Sequence, residues 1–268
     1  MKNNENDDLK LLARNNYKNA IKNKISIEKN RKFNKETNNM KKELNIVISS
    51  NNPHKIEEFK EIFVDYPNVK ILSLKDLNIN VNPEENGETF KDNSFIKANA
   101  IAKLTNYPVI ADDSGLEIDS LNGFPGIHSA RFMQGHSYEE KFISIFEMLN
   151  DKSNRNAQFH CVITLLNLEK EPLFFEGICR GHIANFPSGK EGFGYDPIFI
   201  PNGYDKTFAT LGEELKNKIS HRGLASSSLI NYLKEHEYIK LFKFIHHYGT
   251  NCFSINNCAF FYHFFNFF

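Results

Sequence analysis

Two adjacent carboxylates, Asp112 and Asp113, stand between an apolar run at residues 108–111 and the pair Ser114 and Gly115. The apolar run can be buried on both faces of a sheet, so the pattern predicts a strand that ends here and delivers two acids to a cleft. Neighbouring carboxylates repel each other unless they share a cation or a proton, and a divalent metal ion is the usual solution. The alternative is an ordinary turn, because Asp, Ser and Gly all favour turns.

A second candidate site lies between a predicted strand at 45–50 and a predicted helix. Its residues are Ser50, Asn51, Asn52, Pro53, His54 and Lys55. The backbone N–H groups and the positive dipole at a helix start, together with the charge of Lys55, predict a phosphate site. The segment is not a Walker loop, since the glycines and the Gly-Lys-Ser/Thr ending are absent. The alternative is a helix that is simply capped by Asn51 or Asn52.

Two further charged groups could share this cleft. Lys97 has Asn93 one turn earlier on the same helical face, although an exposed lysine is the ordinary alternative. Glu85 lies in an acidic loop before that helix and could join Asp113 on a magnesium ion, because Mg²⁺ often uses only one or two carboxylates plus phosphate. The alternative for this loop is a solvated acidic turn.

Aromatic and basic residues near the end of the chain could recognise a nucleobase. Residues 193–197 are Phe193, Gly194, Tyr195, Asp196 and Pro197. The glycine permits close approach to a ligand, and the two rings offer either a stacking face or core packing. Lys216, His221 and Arg222 place donors near a helix start, where they could select a keto oxygen.

The elements that must position these residues follow from apolar periodicity. Strands are predicted at 45–50, 108–112, 157–168, 172–184 and 198–200, and the third and fourth of these should be neighbours in a mixed sheet. Helices are predicted around 56–63, after Thr89 with Asp92, after Ser137 with Glu140, and from 223 to about 244. These elements predict one α/β domain over residues 44–244.

The two ends of the chain differ from this body. Residues 1–43 are a low-complexity extension rich in Asn and Lys, with twelve Lys/Arg against six Asp/Glu. Since the formal net charge of the chain is zero, the body is acidic, which suits metal binding better than nucleic-acid binding. The tail at 245–268 holds seven of the 25 phenylalanines. Its longest apolar stretch is interrupted by Asn and His and falls short of the roughly 20 residues needed to span a bilayer, so no membrane partner is predicted. It is either a weak interfacial or aggregation-prone segment or an error in the inferred coding sequence.

The cysteines bear on the cellular compartment. Cys161, Cys179, Cys252 and Cys258 have no paired metal-ligand spacing and are too few for a disulfide scaffold. The N-terminus lacks the apolar core of a signal peptide. Both features predict a cytoplasmic protein.

Over about residues 44–244 the sequence resembles the Ham1-type inosine triphosphate pyrophosphatases. Six blocks carry the resemblance in the same order: Ser50–Lys55; Glu85–Phe90 with Asn93 and Lys97; Asp112–Leu116; Gly123–Gly126 with Ser129–Arg131; Phe193–Pro197; and Ser220–Gly223. The resemblance implies an elongated, two-lobed α/β fold with a mixed sheet and a central cleft, usually in a homodimer. It implies Mg²⁺-dependent hydrolysis of ITP, dITP and XTP to the monophosphate and pyrophosphate.

The resemblance also implies roles for the candidate residues. Asp113 is expected to be general base and Mg²⁺ ligand with Glu85 as the second ligand, and Asp112 is left a supporting role, such as orienting a lysine or a backbone turn. Substrate contacts are expected from Ser50–Lys55 and Lys97 at the phosphates, Ser114, Phe193–Asp196 around the base, and Lys216, His221 and Arg222 in base recognition. One departure is Ser50-Asn51-Asn52, where the family usually has Thr-Gly-Asn, although Asn tolerates a left-handed backbone. A non-catalytic nucleotide-binding regulator and a Maf-type pyrophosphatase remain alternatives.

Overall fold

The computed structural model describes residues 43–239, in which six strands form one mixed sheet. The strands are β1 (Leu44–Ile48), β2 (Val69–Ser73), β3 (Val109–Ile118), β4 (Asn156–Leu166), β5 (Leu173–Ile183) and β6 (Phe199–Pro201). Their order is β2-β1-β3-β4-β5-β6; β1 is parallel to β2 and β3, and the remaining pairs are antiparallel. The predicted α/β fold with a mixed sheet is confirmed, including β4 and β5 as neighbours.

Six α-helices surround this sheet within the described residues. They are α1 (Pro53–Ile62), α2 (Phe90–Ala102), α3 (Tyr138–Met148), α4 (Phe208–Leu211), α5 (Glu213–Ile219) and α6 (His221–Glu235). Both predicted capping boxes are confirmed, at the starts of α2 and α3. The sequence did not predict β2, α4 or α5, which are short elements.

The predicted continuation of the last helix to about residue 244 was wrong, because α6 ends at Glu235. Glu237 has a left-handed backbone with φ 58°, and the Tyr238 N–H donates to the Leu233 carbonyl at 2.8 Å. The left-handed residue and this bond form a Schellman-type ending, which satisfies a carbonyl of the last turn and turns the chain away from the helix axis. Ile239 then packs into the core.

The apolar residues form separate clusters on the two faces and at one end of the sheet. Helices α1 and α6 cover one face around Phe59 and Leu229, whereas α2 covers the other face with Ala98 and Ile101. A further core surrounds Phe159 and combines α3, α4 and β6. The long strands β3, β4 and β5 therefore connect two packed regions.

Strand β3 differs from the sequence prediction in a way that matters for the site. It runs through Asp112-Asp113-Ser114-Gly115 to Ile118, so these residues are neither a strand end nor a turn. Pairing with β4 along its whole length stabilises the extended backbone. On the other side, β1 pairs only with Val109 and Ile110. Beyond Ile110 this edge of β3 is free of β1, and the cleft opens there.

Several predictions concern residues outside 43–239. The extension before residue 43 and the tail at 245–268 lie outside the described residues, as do Cys252 and Cys258. Cys161 and Cys179 are buried free thiols. Between residues 43 and 239, no helix has the length and apolarity needed to cross a membrane.

Candidate active site

The alternation of side chains along β3 separates the two neighbouring aspartates. Successive residues of a strand point to opposite faces of a sheet. Asp112 therefore faces α1 and α6, where it meets Lys55 and Arg222, whereas Asp113 faces α2, where it meets Lys97. The expectation that the two carboxylates share one cation to relieve their repulsion was wrong, because each has its own cationic partners.

Asp112 is a buried anion held by two cations. Its Oδ2 atom lies 2.9 Å from Lys55 Nζ and 2.9 Å from Arg222 Nη2, and it also accepts from Arg222 Nε at 3.2 Å. The Ser114 hydroxyl donates to the same oxygen at 3.3 Å. Burial alone would raise the pKa of Asp112, but Lys55 and Arg222 hold it well below its usual range. Asp112 is therefore ionised throughout the neutral range.

Asp113 belongs to a second group of charges. Lys97 Nζ lies 2.9 Å from Asp113 Oδ1 and 3.1 Å from Glu85 Oε1, so one ammonium bridges the two carboxylates. Arg131 Nη1 lies 3.0 Å from the other oxygen of Glu85. Burial raises the pKa of Asp113 above its ordinary value, and Lys97 opposes this shift. Asp113 Oδ2 is buried without a hydrogen-bond partner.

The segment from Ser50 to Lys55 joins β1 to α1 and is held by its own side chains. Asn52 Oδ1 accepts from the N–H groups of His54 and Lys55 at 3.0 and 3.5 Å, and Ser50 Oγ accepts from Asn52 N at 3.1 Å. Pro53 occupies the first helical position, where its missing N–H costs nothing. The capping alternative is therefore present, and it engages two backbone donors that could otherwise meet a phosphate.

Asn51 does not use the left-handed backbone that its replacement of glycine suggested. Among the described non-glycine residues, those with positive φ lie elsewhere in the chain. Its side-chain amide instead donates to Asn82 Oδ1 at 3.5 Å, which connects this loop to the segment carrying Glu85.

A further buried network of charges adjoins Asp112 through Arg222. Glu58 on α1 lies 2.7 Å from Lys216 Nζ and also pairs with Arg222 Nη1. Lys216 Nζ lies 2.8 Å from Asp196 Oδ2, and Arg222 Nη2 donates to Ser114 Oγ at 3.0 Å. An ammonium has three donors and a guanidinium five, so both cations keep a donor that these contacts do not use.

The aromatic residues divide between packing and the cleft. Phe193 stacks on His54, with ring centroids 5.3 Å apart, and Lys216 Nζ lies 4.4 Å from its ring centre. Tyr195 is a core residue whose hydroxyl donates to the Ser129 carbonyl at 2.9 Å. Gly194 has φ 66°, a conformation that favours glycine.

His221 packs against the core and is neutral. Its ring stacks on Phe159 with centroids 4.6 Å apart, and its Nδ1 atom is buried without a hydrogen-bond partner. Burial lowers the pKa of His221 well below its ordinary value, and the charges of Arg222 and Lys216 lower it further. A neutral imidazole offers one donor and one acceptor to a ligand.

One cavity brings most of the predicted site residues together. Its predicted lining residues are Asn52, Lys55, Glu85, Lys97, Asp113, Ser114, Phe193, Gly194, Tyr195, Asp196, Lys216, His221 and Arg222. Ser50, Asn51, Pro53 and His54 do not line it; they form the adjoining loop and helix start. Six other side chains of the lining were not predicted, which are Leu116, Ile127, Ser129, Ala130, Tyr138 and Phe159.

Glu58 and Arg131 were also missed, although both hold charged residues of the site. One signal was available for Glu58, since it follows Lys55 by three residues and therefore shares its helical face. Arg131 lies in one of the blocks of the resemblance but was given no role there.

Gly115 brings another part of the chain against β3. A Cβ atom at this position would stand 2.2 Å from the Gly126 carbonyl oxygen and 2.6 Å from Ser129 Oγ. The absence of a side chain therefore permits the short helix Gly126–His128 to pack directly on the strand. This contact positions Ser129, whose hydroxyl accepts from Leu116 N at 2.9 Å.

The carboxylates fit magnesium better than a metal held entirely by protein. Within residues 43–239, no group of three or more His, Cys, Asp or Glu side chains is arranged to hold a metal ion. Asp113 and Glu85 supply two carboxylates, and Asp113 Oδ2 has no other partner. Mg²⁺ commonly binds one or two carboxylates and completes its shell with phosphate and water.

Known proteins share both this sequence pattern and this fold. A sequence model of the Ham1 family matches residues 46–232. The dITP/XTP pyrophosphatase of Clostridium perfringens is 44% identical over 198 residues, which cover 70% of this chain and 96% of that protein. The dITP/XTP pyrophosphatase of Christiangramia forsetii is 40% identical over 193 residues, covering 72% of this chain and 100% of that protein. The solved structure of the Staphylococcus aureus Ham1 protein has a TM-score of 0.66 and 42% identity, covering 72% of this chain and 99% of that one.

Proposed function

Because the chain belongs to the Ham1 family, we propose that it hydrolyses non-canonical purine nucleoside triphosphates such as dITP, ITP and XTP to the nucleoside monophosphate and pyrophosphate. Such an enzyme removes deviant nucleotides from the pool. The observation that carries the proposal is the single cavity lined by Asp113, Lys97, Lys216 and Arg222, because the first two could meet a triphosphate and the last two a nucleobase.

At the phosphate end, Asp113 is the proposed general base. Its buried carboxylate has a raised pKa and a free oxygen, and both features favour taking a proton from a water molecule. The water then attacks the α-phosphorus, and pyrophosphate leaves. Lys97 and Lys55 supply positive charge against the triphosphate.

Asp113 and Glu85 are the residues that would hold Mg²⁺. When bound, the ion supplies charge neutralisation and polarisation of the phosphate oxygens. Lys97 bridges the same two carboxylates, which keeps them close enough to serve one ion.

At the base end, selectivity follows from hydrogen-bond donors. Lys216 and Arg222 each keep a donor, and Phe193 offers a ring edge or face beside them. A 6-keto group accepts such a donor, whereas the 6-amino group of adenine would leave it unpaired. A buried donor without a partner costs about 1–3 kcal/mol.

The test measures release of pyrophosphate and of orthophosphate from ITP, XTP, dITP and the four standard nucleotides, with and without Mg²⁺. We expect pyrophosphate from the first three. No turnover of any substrate would favour the non-catalytic regulator instead. Equal turnover of GTP and ITP would reject the deviant-purine specificity and favour a broader, Maf-like enzyme.

Three statements remain predictions beside this proposal. They are the homodimer, the cytoplasmic location, and the absence of nucleic-acid and membrane partners.

A further inference from the structure

Arg131 stands at the rim of the cavity in contact with one of its carboxylates. It follows Ser129 and Ala130, which line the cavity. Its Nη1 atom lies 3.0 Å from Glu85 Oε2, and its Nη2 atom donates to the Ile127 carbonyl at 3.2 Å. Because the other Glu85 oxygen faces Lys97, each oxygen of this carboxylate has its own cation.

The positive and negative charges around Glu85 balance each other only while no ligand is present. Asp113 and Glu85 carry two negative charges, and Lys97 and Arg131 carry two positive charges. A triphosphate with one divalent ion brings a net negative charge. The incoming ligand therefore attracts any cation that can leave its carboxylate, and a metal ion on Glu85 would take over the neutralising role of that cation.

Arg131 is the cation that is best placed to move. Its side chain is 38% exposed, compared with 12% for Lys97 and 16% for Lys55. Lys55 is held by the buried Asp112, which is ionised at neutral pH. The guanidinium fork matches phosphate oxygens as well as it matches a carboxylate.

The position of Arg131 also indicates which phosphates it can reach. Lys97 lies between Asp113 and Glu85, and Arg131 lies on the Glu85 side. If the α-phosphate lies against Asp113, the proposed base, then Arg131 faces the two outer phosphates, which leave as pyrophosphate.

We propose that Arg131 is a further substrate-binding residue, which exchanges Glu85 for the outer phosphates when a metal-bound triphosphate enters the cavity. This inference rests on the proposed function, since it needs the triphosphate and the cleavage next to the α-phosphate. It assigns Arg131 to the triphosphate and not to the monophosphate product.

Calorimetric binding of two nucleotides tests the assignment. The ligands are the non-hydrolysable inosine 5′-(α,β-imido)triphosphate and IMP, both with Mg²⁺, and the variants are Arg131→Met and Arg131→Lys. Arg131→Met should weaken binding of the triphosphate analogue about 10- to 100-fold, the usual loss for a charge-assisted bond, while IMP binding stays within about twofold. Arg131→Lys keeps the charge and should fall between the parent and Arg131→Met. Arg180→Met is the matched control, because Arg180 is exposed on β5 and does not line the cavity.

Unchanged binding of the analogue, or an equal loss for analogue and IMP, would overturn the inference. Manganese binding without nucleotide, followed by electron paramagnetic resonance, gives a second criterion. Arg131→Met should bind Mn²⁺ as tightly as the parent or more tightly, because Glu85 loses a competing cation. Weaker Mn²⁺ binding would mean that Arg131 only positions Glu85, which contradicts the exchange.

The outcome for the parent protein separates this inference from the proposed function. If the parent releases pyrophosphate from ITP and Arg131→Met binds the analogue normally, the assignment of Arg131 alone fails. If the parent neither turns over ITP nor binds the analogue, the proposed function fails and the assignment fails with it.

Discussion

The substitution Asp112→Asn removes a buried negative charge that Lys55 and Arg222 share. Arg222 is 2% exposed and cannot recover solvent as a partner. Removing one member of a buried ion pair typically costs about 3–5 kcal/mol. For a domain of this size we expect a Tm lower by roughly 6–20 °C.

The same substitution one residue later should act differently. In Asp113→Asn the amide oxygen can still accept from Lys97, which also keeps Glu85 as a partner. The raised pKa of Asp113 means that the folded protein disfavours its charge, so the variant should be at least as stable as the parent. It should nevertheless lose pyrophosphatase turnover, because the proposed base is gone.

The pH dependence of unfolding distinguishes the two positions. The native pKa of Asp112 is lowered, so its stabilisation is complete above the unfolded value of about 3.9 and is lost as the pH falls through the native value. The native pKa of Asp113 is raised, so its charge destabilises the fold above that native value and has no effect below about 3.9. Both variants should therefore approach the stability of the parent at low pH, Asp112→Asn from below and Asp113→Asn from above.

Denaturant unfolding in EDTA at several pH values, combined with the pyrophosphate assay, measures these effects. Equal destabilisation by the two substitutions would refute the reasoning, because it would mean that the neighbouring carboxylates have equivalent surroundings. Normal stability of Asp112→Asn at pH 7 would refute it as well.

Two further variants test the surroundings of the cavity. Glu58→Gln removes the anion that the buried cations Lys216 and Arg222 share, so kcat/KM for ITP relative to ATP should fall, whereas Glu57→Gln on the exposed side of α1 should leave this ratio unchanged. An unaltered ratio in Glu58→Gln would separate Glu58 from base selection. Gly115→Ala places a methyl group 2.2 Å from the Gly126 carbonyl oxygen. Thermal unfolding should therefore show a free energy of unfolding lower by about 1–3 kcal/mol, together with lower turnover. A stable, fully active variant would show that the segment packed on β3 can move away.

The sequence predicted helix starts well where the whole motif lies within a few consecutive residues. Thr89 with Asp92 and Ser137 with Glu140 form their capping boxes as predicted, because each box needs only a four-residue segment. The predicted end of β3 at the two aspartates was wrong because it depends on a distant part of the chain. Turn-forming side chains after Asp113 argued for an ending, but pairing with β4, about fifty residues later in the chain, keeps the backbone extended.

The same difference between local and distant contacts applies to the candidate site. Most residues that the resemblance names line one cavity, whereas Ser50, Asn51, Pro53 and His54 do not. The partners of each charge depend on contacts between distant segments. Glu58 meets Arg222 across 164 positions of sequence, and Arg131 meets Glu85 across 46. No local spacing encodes such pairs. The period of two along a strand would have separated Asp112 from Asp113, had the strand been extended through them.

The two carboxylates acquire different chemistry from this alternation. Asp112 Oδ2 contacts Lys55 on α1 and Arg222 on α6, so one buried oxygen holds two cations from different helices. Asp112 Oδ1 and Asp113 Oδ2 both lack a hydrogen-bond partner, but of the two residues only Asp113 lines the cavity. A single extended strand can thus hold a carboxylate that is ionised at neutral pH beside one with a raised pKa, because each residue faces a different set of helices. A turn at Asp112-Asp113 would have placed both acids in one environment, where each would raise the pKa of the other.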